Sequence, residues 1–170
     1  MFKVLVVEDE QMIRKGIILT VNWESLDCIV AGEATNGVEG LEAVKNLTPD
    51  IIICDIKMPK MDGLEMLKQL RQMGNNTPVI FLTAYDTFSY IQSALRLGAI
   101  DYILKPFHDG ELERAVLLIK NKITAKETNA PPNDFPPLKS GEKNKYIFQA
   151  MEFIRMYYNT PDLSVGMIAN

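Results

Sequence analysis

Residues 51–63, IIICDIKMPKMDG, give the clearest indication of the fold. A short apolar run ends there at one aspartate, Asp55, and a loop containing Pro59 and Gly63 begins. The apolar residues 51–54 are β-branched or small, which suits a strand covered on both faces in a parallel sheet. Asp55 would then lie at the carboxyl end of that strand. Ligands of open α/β sheets bind at this edge, so a carboxylate there is better placed for chemistry than for packing.

Strand and helix patterns alternate on both sides of this stretch. Further strands are predicted at residues 2–7, 28–31, 78–82 and 102–104. Apolar residues at helical spacing follow each strand and predict five helices. The first has Met12, Ile13, Ile17 and Val21, the second Val38, Leu41 and Val44, and the third Leu64, Leu67, Leu70 and Met73. The fourth covers residues 88–97, and the fifth covers 109–123 with Leu112, Val116 and Ile119. The predicted fold class is α/β, a doubly wound parallel sheet with right-handed crossovers and helices on both faces.

The composition changes after residue 123. Residues 124–145 are rich in Pro, Asn, Lys, Glu and Ser and lack apolar periodicity, which indicates a linker that is semi-rigid where its prolines cluster. Helical spacing returns at Ile147, Met151, Ile154 and Tyr158. This short helical segment buries little alone, so we assign residues 146–170 to the start of a second, incomplete module.

Composition excludes several classes of protein. The chain has 170 residues, 47% hydrophobic and 24% charged, and a formal net charge of -4, which is typical of a soluble globular protein and argues against a broad nucleic-acid-binding surface. No apolar run approaches the roughly 20 residues that span a bilayer, and the N-terminus lacks a signal-peptide pattern. We therefore expect a cytoplasmic protein with no membrane partner. Cys28 and Cys54 lack metal-binding spacing and are expected to be buried, reduced thiols.

Polar residues follow four of the predicted strands at the edge that all of them share: Glu8 and Asp9, Asp55, Thr83, and Lys105. Three converging carboxylates repel one another unless a cation compensates, and hard oxygen ligands favour Mg²⁺ over zinc. An aspartate beside Mg²⁺ can attack a phosphoryl group, with a lysine stabilising the transferred charge and a hydroxyl donating to it. Taken singly, each acid could instead be a cap of the following helix.

Residues 2–123 resemble the receiver domain of two-component response regulators, the CheY-like family. The segments VVEDE (residues 6–10), CDIKMPKMDG (54–63), Thr83-Ala84 and Lys105-Pro106-Phe107 match that family in order and spacing. The resemblance implies a flavodoxin-like (βα)5 sheet with strand order 2-1-3-4-5. It also implies a cis peptide bond before Pro106.

The same resemblance implies a role for each site residue. Asp55 would accept a phosphoryl group from a sensor histidine kinase, and Mg²⁺ would be held by Glu8, Asp9, Asp55 and the backbone carbonyl of Lys57. Lys105 would contact the phosphoryl group, Thr83 would move towards it, and Tyr102 would swing inward. Glu8 stands where the family more often has aspartate, which leaves metal coordination possible through water.

The implied output is a change in the surface formed by the fourth helix, fifth strand and fifth helix, a face that often forms a homodimer in this family. Residues 146–170 resemble the opening of the DNA-binding domain of AraC/XylS-type (YesN-like) transcriptional regulators, with Ser164 as a helix cap. The recognition helix is absent, so we expect a shortened regulator in which only the full-length protein binds DNA. The open alternative is a stand-alone receiver that signals through protein contacts.

Two other classes are weaker. A haloacid-dehalogenase-like phosphohydrolase needs an acid two residues after its nucleophile, where this chain has Lys57. A flavodoxin-like cofactor binder needs a glycine-rich or hydroxyl-rich first loop, and here that loop is acidic. We therefore expect no enzyme activity beyond self-phosphorylation and slow loss of the phosphoryl group. His108 is expected to be exposed, and Trp23 to pack the first helix.

Overall fold

The computed structural model describes residues 1–84 and 93–128, with side chains up to residue 124. The predicted linker beyond residue 128, the segment 146–170 and residues 85–92, which include the first half of the predicted fourth helix, lie outside the described residues. The elements are β1 (Phe2–Val7), α1 (Gln11–Thr20), β2 (Cys28–Ala34), α2 (Gly37–Leu47), β3 (Ile51–Asp55), α3 (Gly63–Gln72), β4 (Val79–Thr83), β5 (Asp101–Leu104) and α5 (Glu111–Thr128), with the helical residues 93–96 as the described part of α4.

The five strands form one parallel sheet in the order β2-β1-β3-β4-β5, which confirms the predicted topology. β3 is central, and residues 51–56 are all buried. Ile53 pairs with Val6 on one side and with Ile80 on the other. Because every residue of β3 is covered, its apolar run has no polar alternation, as expected for a strand inside a parallel sheet.

Alternate residues of the strands pack into two separate cores, one on each face of the sheet. Val4, Val6, Ile51 and Ile53 face the core that α1 and α5 cover. Leu5, Val7, Ile52, Cys54 and Phe81 face the core that α2 and α3 cover. Helices therefore cover both faces of the sheet. The polar residues of the sheet lie where its strands end.

Two elements extend three or more residues beyond their predicted ends. β2 was predicted to stop at residue 31 but runs to Ala34, because the strand continues through a register shift opposite Val4 and Leu5 and presents Glu33 to solvent at the sheet edge. α5 continues past residue 123 to Thr128 through Ala, Lys and Glu, which are good helix formers. The first residues assigned to the linker, 124–128, are therefore helical.

Smaller predictions are confirmed. Both cysteines are free and buried, His108 is exposed, and Trp23 packs in the core with its indole N–H donating to the carbonyl of Ile18. None of the helices that the structure describes has the length and apolarity needed to cross a membrane.

The start of α2 is fixed by a network of side chains. Asn36 Oδ1 accepts the N–H groups of Val38 and Glu39, so Asn36 is the N-cap. The carboxylate of Glu39 accepts the hydroxyl of Thr35 at 2.6 Å, the N–H of Thr35 at 2.9 Å and the amide of Asn36 at 2.8 Å. The Thr35 hydroxyl, followed by the Thr35 N–H and the Asn36 amide, lowers the pKa of Glu39 to about 2.

Glu39→Gln is expected to lower the free energy of unfolding by about 1 kcal/mol at pH 7, because the three donors lose a charged acceptor. A lowered pKa contributes stability above the ordinary value of 4.5 and loses it as pH falls towards about 2. In urea titrations, the difference in unfolding free energy between wild type and Glu39→Gln should therefore narrow as the pH falls from about 5 to about 3. Glu42→Gln is the control, because it removes the same charge from an exposed position of α2. A difference in unfolding free energy between wild type and Glu39→Gln that widens in acid would contradict the stabilising role of the Glu39 carboxylate.

Candidate functional site

The acidic residues that follow β1 and end β3 meet at the carboxyl edge of the sheet. One carboxylate oxygen from each of Glu8, Asp9 and Asp55 lies within 4.8 Å of the others. Parallel pairing of β1 with β3 produces this meeting, because Val7 lies opposite Cys54 and the next residue of each strand is acidic. Glu8 and Asp55 are buried and Asp9 is half-buried. The predicted cluster of carboxylates is therefore present.

Lys105, the residue after β5, adds a positive charge to this cluster from an outermost strand of the sheet. Its Nζ donates to Glu8 Oε2 at 2.6 Å and lies 3.5 Å from Asp55 Oδ2. The Lys105–Pro106 peptide bond is cis, as predicted. The N–H of Lys105 donates to the carbonyl of Thr83, which ties the residue after β5 to the end of β4. Lys105 thus has Glu8 as its nearer partner and Asp55 as its second.

Burial dominates the electrostatics of the two buried acids. Desolvation raises the pKa of Glu8, opposed mainly by the hydrogen bond from Lys105. Desolvation also raises the pKa of Asp55, opposed by the charge of Lys105 and by the Ile56 N–H, which donates to Asp55 Oδ1 at 2.8 Å. A single lysine does not compensate three carboxylates, so the cluster favours a further cation.

The second oxygen of Glu8 fits that interpretation. Among the described residues, no donor reaches Glu8 Oε1, although the atom is buried. A buried carboxylate oxygen without a partner costs free energy, which a bound cation would recover. The donor set is all oxygen, and this set suits Mg²⁺ or Ca²⁺. The residues present therefore fit a divalent metal ion.

The loop between β3 and α3 is held close to the site by two glycines. The N–H of Gly63 donates to the carbonyl of Ile56, and a Cβ at Gly63 would lie 2.2 Å from the carbonyl oxygen of Asp55. Gly37, at the start of α2, donates its N–H to the carbonyl of Met61 at 2.9 Å. Lys57 lies in this loop with its side chain exposed, as predicted. The loop that follows Asp55 is thus braced from both ends.

The two residues assigned to a switch lie on neighbouring strands. Thr83 ends β4, is fully buried and pairs in register with Leu104. Tyr102 lies in β5, pairs in register with Phe81 and is half-buried against the core that α2 and α3 cover. Thr83 is therefore at the site edge with Lys105, whereas Tyr102 is set back along β5.

Sequence reasoning missed one buried residue beside the site, Arg14 in α1. Its Nη1 donates to the carbonyl of Glu8 at 2.6 Å and to that of Asp9 at 3.3 Å, and its Nε donates to Glu33 Oε2 at 2.9 Å. A charged residue in a helix normally faces solvent, so the residue type gave no signal. The available clues were its place three residues before Ile17, on the apolar face of α1, and one helical turn after the acidic loop.

Comparisons with known proteins agree with the fold and identify the family of the chain. The family model described as "Response regulator receiver domain" matches residues 4–117. The chain is 31% identical over 152 residues to the uncharacterized transcriptional regulatory protein YesN of Bacillus subtilis, covering 86% of this chain and 41% of that protein. It is 33% identical over 153 residues to the transcriptional regulatory protein BtsR of Escherichia coli, covering 88% of this chain and 62% of that protein. The chain thus spans less than two thirds of these relatives.

Solved structures give the same result. The receiver domain of AraT, a response regulator from Geobacillus stearothermophilus, matches with a TM-score of 0.68 and 38% identity, covering 74% of this chain and 98% of that one. A CheX–CheY complex with BeF3 and Mg from Borrelia burgdorferi matches with a TM-score of 0.64 and 29% identity, covering 70% of this chain and 89% of that one. Its strand order, its acidic edge and these matches show that the chain belongs to the response regulator receiver domain family.

Proposed function

We propose that this chain is the phosphoacceptor module of a two-component response regulator, in which Asp55 accepts a phosphoryl group from a sensor histidine kinase. The observation that supports this proposal most directly is the convergence of Glu8, Asp9 and Asp55 within 4.8 Å, with the ammonium of Lys105 3.5 Å from Asp55. A nucleophilic carboxylate, a set of metal ligands and a cation for the transferred charge are then all in one place.

Each residue has a defined part in the transfer. One carboxylate oxygen of Asp55 attacks the phosphorus of a phosphohistidine; the new P–O bond forms, the P–N bond breaks, and the imidazole leaves with that electron pair. The Ile56 N–H orients the carboxylate through Oδ1. Glu8, Asp9, Asp55 and the carbonyl of Lys57 would hold Mg²⁺, which neutralises charge on the transferring oxygens when bound. Lys105 adds a second positive charge to those oxygens.

Phosphorylation would then shift the equilibrium between two packed arrangements of the domain. Thr83 ends β4 at the edge of the sheet that carries the site, and its hydroxyl would hydrogen-bond the phosphoryl group. Tyr102 would fill the space that Thr83 leaves. The altered face, built from α4, β5 and α5, would change its contacts, with a homodimer as one outcome. The similarity to YesN and BtsR supports a transcriptional output, with DNA bound by the full-length protein.

We also propose that the chain turns over no separate substrate. The aspartyl phosphate would be stored as a signal and lost slowly, within a cytoplasmic protein. The CheX–CheY complex supports a second form of output, in which a receiver acts by protein contacts alone.

The proposal is tested by incubating the protein with Mg²⁺ and acetyl phosphate, or with a radiolabelled sensor kinase. We expect one phosphoryl group per chain, on the tryptic peptide that contains Asp55. The label should be released by hydroxylamine, as expected for an acyl phosphate. Label that resists hydroxylamine, or lies on another peptide, would refute the proposal.

Mg²⁺ is expected to stabilise the protein against thermal unfolding, by about 2.7 kcal/mol at 100 times its dissociation constant, and EDTA should reverse the effect. Asp9→Asn should reduce this Mg²⁺-dependent shift because it removes one ligand of the cluster. Glu10→Gln is the matched control, since Glu10 is an exposed acid of the same loop outside the cluster. An equal Mg²⁺-dependent gain in thermal stability in wild type and Asp9→Asn would show that the metal binds elsewhere.

A further inference from the structure

We propose that Arg14 is a positioning residue for metal binding, which anchors the backbone of the acidic loop to Glu33 on the edge strand β2 and so sets the directions of the Glu8 and Asp9 carboxylates. The inference rests on the proposed function, because it concerns the divalent cation that phosphoryl transfer to Asp55 would use. Arg14 need not touch the metal or the phosphoryl group for this role.

The contacts of Arg14 reach the backbone of the ligand residues themselves. Its guanidinium Nη1 donates to the carbonyl oxygen of Glu8 at 2.6 Å, a buried hydrogen bond, and to that of Asp9 at 3.3 Å. On its other side Glu8 donates its N–H to the carbonyl of Ala34 at 3.0 Å. The peptide groups flanking the Glu8 side chain are therefore held from α1 and from β2 together.

The other end of the guanidinium is fixed by a carboxylate that has its own support. Glu33 Oε2 accepts Arg14 Nε at 2.9 Å, and Glu33 Oε1 accepts Lys15 Nζ at 2.7 Å. Arg14 itself is 8% exposed, so its planar group is confined between the loop carbonyls and β2. A planar guanidinium can serve two such partners in fixed directions, which an ammonium cannot do.

A role in positioning and a role as a mere charge predict opposite results. A positive charge next to the acidic loop opposes the binding of another cation, so removing the charge alone should strengthen Mg²⁺ binding. Loss of the anchor should weaken it, because partners that orient metal ligands typically contribute 10- to 100-fold in metal affinity. The direction of the change therefore identifies the role.

The test measures Mg²⁺ affinity by calorimetry in wild type, Arg14→Met, Arg14→Lys and Glu33→Gln. We expect Arg14→Met to bind Mg²⁺ roughly 10- to 100-fold more weakly. Arg14→Lys should not restore the affinity although it restores the charge. Glu33→Gln should weaken binding less, since the loop carbonyls keep their donor.

Two control variants separate this effect from charge and from stability. Lys15→Met removes one positive charge and the second partner of Glu33, but leaves the contact with the loop, so Mg²⁺ affinity should stay near the wild-type value. Ile17→Ala opens the packing of α1 against the sheet at a residue that is 2% exposed, and should lower stability without changing Mg²⁺ affinity. Weaker binding in Ile17→Ala equal to that in Arg14→Met would overturn the inference.

A second measurement does not depend on the metal. In the metal-free protein, Arg14→Met should speed amide hydrogen exchange at Glu8, Asp9 and Glu10 while leaving residues 51–54 of β3 unchanged. Unchanged exchange in the loop, or Mg²⁺ affinity that equals or exceeds the wild-type value, overturns this inference alone. A wild-type protein that binds no Mg²⁺ overturns both the inference and the proposed function.

Discussion

Asp55→Asn is expected to abolish Mg²⁺-dependent phosphorylation by acetyl phosphate or by a sensor kinase. Asparagine keeps the shape of the side chain and an Oδ1 that can accept the Ile56 N–H. It loses the anionic oxygen that would attack phosphorus, so the P–O bond has no nucleophile at this position. Labelling should fall to background, measured as radiolabel or as a mass increase of one phosphoryl group. Undiminished labelling of the variant would exclude Asp55 as the acceptor.

The loss should not come from unfolding. Burial raises the pKa of Asp55, so ionisation opposes folding as pH rises above the ordinary value of 3.8 and through the raised one. The neutral amide removes that penalty, and the metal-free variant should be at least as stable as wild type at neutral pH. Asp101→Asn is the matched control, because burial also raises the pKa of Asp101, but this residue starts β5 at the opposite edge of the sheet. Asp101→Asn should be labelled like wild type.

Gly63→Ala is expected to lower the free energy of unfolding by about 3 kcal/mol, the upper part of the range for overpacked interiors. The added Cβ would lie 2.2 Å from the carbonyl oxygen of Asp55, 2.9 Å from Phe81 Cε1 and 3.0 Å from Cys54 Sγ. The first of these atoms is backbone in the central strand and cannot rotate away. Relief would require the loop to move off β3, which also breaks the hydrogen bond from the Gly63 N–H to the carbonyl of Ile56.

Urea titration measures this effect, and Gly16→Ala provides a control of opposite sign. Gly16 lies inside α1, and nothing lies within 4 Å of a Cβ built there. Alanine is better than glycine in a helix interior, so Gly16→Ala should raise stability by about 0.5–1 kcal/mol. Equal losses in the two variants would show that the close approach at Gly63 does not limit the fold.

The sheet and its acidic edge could be predicted because both depend on local patterns. An apolar run such as residues 51–54 signals a covered strand, and parallel strands bring their carboxyl ends to one edge. Asp55, Glu8 and Lys105 therefore met where predicted, although the pairing of Lys105 with Glu8 at 2.6 Å was not foreseen. Which of two nearby carboxylates a lysine prefers depends on side-chain length and burial in three dimensions.

The parts that were not predicted depend on distant partners or on residues without a hydrophobic signal. Val38 was grouped with Leu41 and Val44 on one face of α2 but is 48% exposed, because Gly37 and Gly40 form the buried side there. Met12, also counted among the apolar positions of α1, is 85% exposed. Arg14 could not be assigned because its partners are backbone carbonyls and a glutamate on β2, and neither is visible in the spacing of α1.

The hydrogen bond between Lys105 and Glu8 joins residues 97 positions apart. During synthesis the ribosome releases Asp55 and the acidic loop well before it releases Lys105 and β5, which is the last of the five described strands along the chain. An unfinished chain would therefore carry the acceptor aspartate without its cation. We expect phosphoryl acceptance to appear only when β5 has docked, so that nascent or proteolytically shortened chains do not compete with finished receivers for the kinase.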